Sequence, residues 1–141
     1  MTPHQIQLIR SSWAKVNAID PVIVGTLFYN RVFEIAPGTE NMFRGSIAEQ
    51  SKKLLVMLGY IINKLDRLEE IIDEVKKLAG RHVQYGVKEE HYAIVGDAFL
   101  WTLEKGLGED WNTELKEAWS DCYSILATAM INAAEYKANA A

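Results

Sequence analysis

The sequence has few of the features that mark secreted, membrane or nucleic-acid-binding proteins. It contains one cysteine, Cys122, so no disulfide can form within the chain. Lysine and arginine never run longer than two in succession and the net charge is −4, which disfavours nucleic-acid binding. No apolar run approaches the roughly 18–20 residues of a membrane span, and the first residues lack the pattern of a signal peptide. We therefore expect a protein of the reduced cytoplasm.

Proline is also scarce, because the only three prolines lie before residue 38. The remaining hundred or so residues are therefore free to form long helices. No stretch alternates between apolar and polar residues for long enough to predict a strand, whereas apolar residues recur at helical spacing. With 49% hydrophobic and 24% charged residues, the composition is typical of a globular protein. We predict one all-α domain over residues 1–141, with residues 136–141 as a frayed tail.

Capping patterns mark where the helices begin. They occur at Thr2 with Gln5, Asp20 before Pro21, Ser46 with Glu49, and Asp66 with Glu69. Gly86 is predicted to end the helix that carries His82. About seven or eight helices of unequal length follow from these boundaries, which is more than an up-down bundle of this length would use.

His82 is the first candidate functional residue. It follows an apolar helical stripe formed by Leu68, Ile71, Ile72, Val75 and Leu78. An imidazole at the end of such a face can present a neutral nitrogen to a dry pocket, as an axial ligand of haem iron must. A histidine in this setting is more often a core or surface residue than a ligand, so the pattern alone leaves both interpretations open.

A second group of residues could form the opposite wall of such a pocket. Phe43 offers an aromatic ring, and Gln50 and Leu54 lie one turn apart on one helix face. Tyr29, on the preceding long helix, is a second polar donor. Plainer interpretations remain: Tyr29 could be a core tyrosine, Gln50 could be solvated, and Phe43 and Leu54 could be ordinary core residues.

Five segments together carry a family pattern. They are L-F-Y-N-R-V-F (27–33), the lone Phe43, E-Q-S-K-K-L (49–54), R-H-V-Q-Y-G-V-K-E-E-H-Y-A-I-V-G (81–96) and E-A-W-S-D-C-Y (117–123). The most specific feature is His82 followed by Gly86-Val87 and, ten residues after the histidine, Tyr92. Over nearly all its length the chain resembles bacterial single-domain globins and the globin domain of flavohaemoglobins. The resemblance implies a globin fold, with about seven to eight helices enclosing a haem pocket.

The resemblance also implies roles for individual residues. His82 matches the proximal histidine that binds the iron of haem b (iron protoporphyrin IX). Tyr29 and Gln50 match the distal pair that hydrogen-bonds dioxygen. A phenol O–H and an amide N–H aimed at a ligand with partial negative charge stabilise that charge in a water-poor pocket. A glutamine does not titrate, so we expect a distal side less sensitive to pH than one built on histidine.

Other pocket residues follow from the same resemblance. Phe43 matches the phenylalanine stacked on the haem and Leu54 the apolar residue over the iron, while the proximal side is matched by Val87, Tyr92 and Val95. In flavohaemoglobins the tyrosine and a late glutamate hydrogen-bond the proximal histidine. Here that glutamate's position falls on Ala134, with Glu135 beside it, so we expect this polar network to be shifted by one residue or incomplete.

The function expected from the resemblance is reversible binding of dioxygen and other diatomic gases, NO and CO, for oxygen binding or transport. The alternative is an enzyme, a nitric oxide dioxygenase that converts NO and dioxygen to nitrate for NO detoxification. The 141 residues contain no G-x-G-x-x-G segment, so we expect any such activity to need a separate reductase. The oligomeric state is not predicted. Cys122, in the middle of the final helix, is expected to be a buried small hydrophobe.

Overall fold

The computed structural model describes residues 1–43, 45–84 and 86–140, without the side chains of residues 135–140. The α-helices are α1 (Pro3–Val16), α2 (Pro21–Ile35), α3 (Ile47–Asn63), α4 (Ile72–Gln84), α5 (Glu89–Leu107) and α6 (Thr113–Ala140). Short 3-10 helices span Pro37–Met42, Leu65–Ile71 and Gly108–Asp110. These ranges contain no strand, so the all-α prediction is confirmed. None of the described helices is both long and apolar enough to cross a bilayer.

The predicted helix starts are mostly confirmed. Thr2 forms a complete capping box with Gln5, and the Ser46 hydroxyl accepts a hydrogen bond from the backbone N–H of Glu49 at 3.0 Å. The Asp20 carboxylate accepts from the N–H of Val22 at 2.9 Å. These side chains satisfy backbone donors that a helix N-terminus leaves unpaired.

The predicted cap at Asp66 is wrong. The chain enters the Leu65–Ile71 segment at Lys64 with no side-chain cap. Asp66 instead accepts a hydrogen bond from the Arg10 guanidinium of α1 at 2.9 Å, and this contact lowers the pKa of the Asp66 carboxyl. An ion pair with a distant helix has replaced the local cap, and sequence spacing carries no sign of that.

The main core lies among α1, α3, α5 and α6 around Trp119, which is 1% exposed. Its indole packs against that of Trp13, with ring centroids 6.3 Å apart. The Trp119 indole N–H donates to the Ser12 hydroxyl at 3.0 Å, so this buried donor is satisfied. The core thus fixes α1 and α6 to one another, and α2 and α4 are placed around it.

The crossing of α2 and α3 depends on Gly25. A Cβ atom at this position would lie 2.1 Å from both Cβ and Oγ of Ser51, so the two helices approach more closely than any side chain would allow. Ser51 is fully buried and its hydroxyl donates to the carbonyl of Ile47 at 2.6 Å. Since Tyr29 follows Gly25 by one turn, and Gln50 and Leu54 flank Ser51, this crossing brings the predicted distal residues together.

We expect Gly25→Ala to lower the free energy of unfolding by about 3 kcal/mol, because the added methyl must push apart two helix backbones. The matched control is Gly59→Ala in α3. A Cβ there would meet only the Trp13 indole nitrogen, at 3.7 Å, so helix propensity should raise stability by about 0.5–1 kcal/mol. Urea denaturation of the three proteins measures both changes. Equal effects of the two substitutions would show that the crossing is not tightly packed.

Candidate functional site

Four of the residues predicted to line the site lie in one apolar cluster. Tyr29 of α2 packs edge-on against Phe43, with ring centroids 4.9 Å apart and planes at 73°. Leu54 of α3 and Val95 of α5 pack against the same cluster, together with Phe33. The structure therefore brings residues that are more than sixty positions apart in the sequence into one cluster. We call the part formed by Tyr29, Phe43 and Leu54 the distal wall.

Tyr29 is the buried polar residue of the distal wall, 5% exposed. Burial raises the pKa of its phenol to about 12, and the nearby Gln50 side chain offsets part of that increase. The phenol therefore keeps its proton at neutral pH and can donate it. Gln50 itself is exposed, so it lies at the edge of the wall, between Tyr29 and solvent.

His82 lies near the end of α4 and is half-buried. Its Nδ1 atom is 2.8 Å from the backbone carbonyl oxygen of Leu78, one turn earlier. A carbonyl oxygen can only accept, so Nδ1 carries the proton and Nε2 keeps a free lone pair. Burial lowers the pKa of His82; the Leu78 contact acts in the opposite direction, and the charge of Arg81 lowers the pKa further. The outcome is a neutral, oriented imidazole with its ligating nitrogen available.

The protonation state of His82 can be measured directly. In a 15N–1H spectrum of the protein without cofactor, we expect the neutral tautomer with the proton on Nδ1 at pH 7, titrating below its ordinary value of 6.5. Replacing Arg81 with glutamine should raise this pKa, because a nearby positive charge is removed. Lys77→Gln, one turn away on an exposed part of α4, is the control. An Nε2–H tautomer, or titration at or above 6.5, would contradict this geometry.

The backbone around His82 is fixed by the helix end that follows it. Gly86 has φ +85°, the left-handed conformation that glycine adopts readily. The N–H of Gly86 donates to the carbonyl of Val83, and the N–H of Val87 donates to the carbonyl of His82, both at 3.0 Å. This is the Schellman arrangement of a helix C-terminus. It confirms the prediction that the helix ends at Gly86. It also joins Val87, a predicted pocket residue, to the backbone of His82 by a hydrogen bond.

The distal wall lies on α2, α3 and the segment that joins them, whereas His82 lies on α4, which follows α3 through the Leu65–Ile71 segment. Leu54 lies nine residues before the end of α3 and His82 ten residues after the start of α4, so both are roughly 15 Å from the junction that joins the helices. Within the described residues, α4 packs mainly on α6 and on the Leu65–Ile71 segment.

Tyr92 and Val95 lie on α5, and both are half-buried. The hydroxyl of Tyr123 on α6 donates to the backbone carbonyl of Tyr92 at 2.6 Å. Its ring passes over Gly96, where a Cβ atom would lie only 2.7 Å away. Sequence reasoning did not identify this contact, although an isolated glycine within a helix is a signal of close packing.

The hydrogen-bond partner of His82 differs from the partners that the resemblance implies. The resemblance implies hydrogen bonds from a tyrosine and a glutamate to the proximal histidine, whereas Nδ1 of His82 pairs with the Leu78 carbonyl. Ala134, at the position of the family's glutamate, is half-buried, and the side chain of Glu135 lies outside the described part of the chain. A neutral carbonyl polarises the imidazole less than a carboxylate does.

A separate cavity lies between α4 and α6. It has a volume of about 500 Å³ and is formed between the start of α4 and the second half of α6. Its lining includes Ile72, Val75, Leu126 and Ala129, and none of the predicted site residues contributes to it. We call it the α4–α6 groove.

The donor atoms of the site suit one class of cofactor. Among the described residues, no group of three or more histidine, cysteine or acidic side chains could hold a metal ion by itself. Burial raises the pKa of the Cys122 thiol to about 12, so it is no thiolate ligand. One neutral imidazole nitrogen, together with an apolar aromatic wall elsewhere in the fold, fits a metal whose other ligands come from a flat organic ring, as in haem. His82 would be the protein ligand of such a group.

The comparisons with known proteins agree with this fit. The sequence profile of the globin family matches residues 26–130, which is three quarters of the chain. The chain is 28% identical to neuroglobin-1 of Oncorhynchus mykiss, covering 92% of this chain and 90% of that protein. It is 32% identical to an anaerobic nitrite reductase of Gossypium hirsutum, covering 92% of this chain and 91% of that protein.

A solved structure extends the likeness to three dimensions. A bacterial globin from Campylobacter jejuni superimposes with a TM-score of 0.86 at 27% identity, covering 98% of this chain and 99% of that one. The arrangement of helices is therefore shared along the whole length, and not merely around the matched sequence segments.

Proposed function

Because the chain belongs to the globin family, we propose that it holds haem b between α3 and α4 and binds dioxygen, NO and CO reversibly. The observation that carries this proposal is His82, whose imidazole is neutral and oriented so that Nε2 can ligate iron. In this proposal the distal wall with Tyr29 lies on the other side of the haem from His82. Haem supplies the iron that binds a diatomic gas and changes oxidation state. The protein chain holds the ligating nitrogen in place, supplies hydrogen-bond donors to the gas and excludes water.

On the proximal side, the protein's task is to keep one nitrogen in place. The Leu78 carbonyl fixes the ring of His82, and Gly86 fixes the helix end behind it. Since the ring's partner is a neutral carbonyl, His82 is a moderate electron donor. Moderate donation favours reversible ligand binding over the cleavage of an oxygen–oxygen bond.

On the distal side, the protein supplies hydrogen-bond donors and excludes water. Tyr29 holds its proton at the phenol oxygen, because burial raises its pKa to about 12. Donors fixed in an apolar wall stabilise negative charge on a ligand without first having to reorganise. Phe43 and Leu54 contribute apolar surface, and Val87, Tyr92 and Val95 close the proximal side in this proposal.

An oxygen equilibrium measurement tests this function. The haem-loaded, reduced protein should take up one dioxygen per chain and release it when oxygen is removed, over repeated cycles. CO should compete for the same site. Immediate oxidation at the first exposure to air, with no reversible phase, would count against an oxygen-binding role.

The second candidate function is NO dioxygenation, favoured by the buried phenol of Tyr29 beside the amide of Gln50. The reaction combines NO, dioxygen and one electron to give nitrate. A reductase must supply that electron, and we propose a flavin-dependent NAD(P)H oxidoreductase as its source. Adding NO to the oxygenated protein should yield one nitrate per haem before electrons run out. Loss of NO without formation of nitrate would contradict this candidate function. Nitrite should be tested as a second substrate, because the relative from Gossypium hirsutum is named an anaerobic nitrite reductase.

A further inference from the structure

The α4–α6 groove is a concave surface apart from the predicted haem site. Its volume of about 500 Å³ lies within the range of small-molecule sites, about 300–1,000 Å³. Apolar side chains from α4 and α6 form most of its surface, and Ile72 and Ile125 at its rim are 48% and 39% exposed. Large apolar side chains exposed around a concave surface are a typical sign of a binding site.

The polar side chains of the groove indicate what kind of molecule fits. Lys76 is the only charged residue among the described residues that line it, and Asn132 adds an amide. The neighbouring Glu74 is on another face of α4 and lines a shallow depression against α3. The groove therefore offers an apolar floor with a single positive charge, which complements an apolar chain ending in one negative charge.

We propose that the α4–α6 groove binds a single fatty acid, with its alkyl chain along Val75, Leu126 and Ala129 and its carboxylate beside Lys76. The alkyl chain supplies most of the affinity, since each buried methylene should tighten binding about fourfold. The exposed ion pair with Lys76 orients the molecule and adds less, because water screens it. This site is independent of the gas-binding function, as it shares none of the residues assigned to the distal wall or to iron.

Calorimetric titration of the haem-loaded, CO-saturated full chain with octanoate, decanoate and dodecanoate, each below its micelle concentration, tests the proposal. We expect one molecule bound per protein chain, and affinity that rises about fourfold per methylene. The haem absorption bands should not move. Dodecanol should bind more weakly than dodecanoate, because it lacks the charge. No saturable binding, or affinity that does not depend on alkyl length, would overturn the proposal.

Two pairs of variants locate the site. Ala129→Phe fills the groove and should weaken dodecanoate binding more than about tenfold, whereas Ala14→Phe, exposed on α1, should not change it. Lys76→Glu should weaken dodecanoate about three- to tenfold and leave dodecanol unaffected, with Lys77→Glu as the control. Equal binding to both phenylalanine variants, displacement of CO by dodecanoate, or binding only to anionic phospholipid vesicles would each refute the groove as the site. Each would leave the proposed gas-binding function untouched.

Discussion

Replacing His82 with alanine should abolish stoichiometric haem retention. Among the described residues, His82 offers a neutral, half-buried imidazole whose Nε2 keeps a free lone pair. Loss of the iron ligand should weaken haem binding more than about 100-fold, beyond the roughly 10- to 100-fold cost of losing a residue that merely supports a ligand. The haem content of purified protein, measured by absorption against total protein, gives the result.

A matched control exists in His91. Its Nδ1 accepts a hydrogen bond from the backbone N–H of Lys88 at 2.8 Å, so it caps the start of α5 instead of ligating iron. His91→Ala should therefore lose some helix stability and keep its haem. Free imidazole should restore part of the spectrum of His82→Ala, because the substitution leaves a hole of the right shape. Stoichiometric, tight haem in His82→Ala would refute the proximal assignment.

Replacing Tyr29 with phenylalanine should accelerate oxygen release about 5- to 150-fold. The substitution keeps the ring, which packs against Phe43, and removes a buried donor worth roughly 1–3 kcal/mol to the ligand. Flash photolysis or stopped-flow replacement of oxygen by CO measures the rate. Because the phenol is already costly to bury, the stability of the protein should change little.

Two comparisons make the Tyr29 result specific. Tyr60→Phe alters an exposed tyrosine on α3 and should leave the rate unchanged. Gln50→Leu should accelerate release less than Tyr29→Phe, since Gln50 is exposed and its amide must compete with water. An oxygen off-rate in Tyr29→Phe equal to that of the unchanged protein would mean that the phenol does not reach the ligand.

The elements that the sequence could predict are those set by local chemistry. The caps at Thr2 and Ser46 and the stop at Gly86 depend on residues within a few positions, and each is confirmed. The Leu78 carbonyl as partner of His82 also follows helical geometry, because the two lie one turn apart.

Features that depend on distant residues were missed. The Asp66 carboxylate accepts a hydrogen bond from Arg10, which lies 56 positions away. The Tyr123 hydroxyl donates to the carbonyl of Tyr92, which lies 31 positions away. The spacing of residues along one helix contains no information on which helix lies opposite. The resemblance named the residues of the distal wall, but the need for glycine at position 25 became visible only where α2 and α3 cross.

The measurement that tests the central claim most directly is the visible absorption spectrum of the haem-loaded protein, first reduced without oxygen and then exposed to air. We predict a five-coordinate ferrous spectrum, since His82 is the proposed ligand and neither Tyr29 nor Gln50 is a good ligand for ferrous iron. Air should convert it to a stable oxygenated spectrum. A six-coordinate, low-spin ferrous spectrum before oxygen is added would mean that a side chain of the protein occupies the gas site, and would contradict the open distal site.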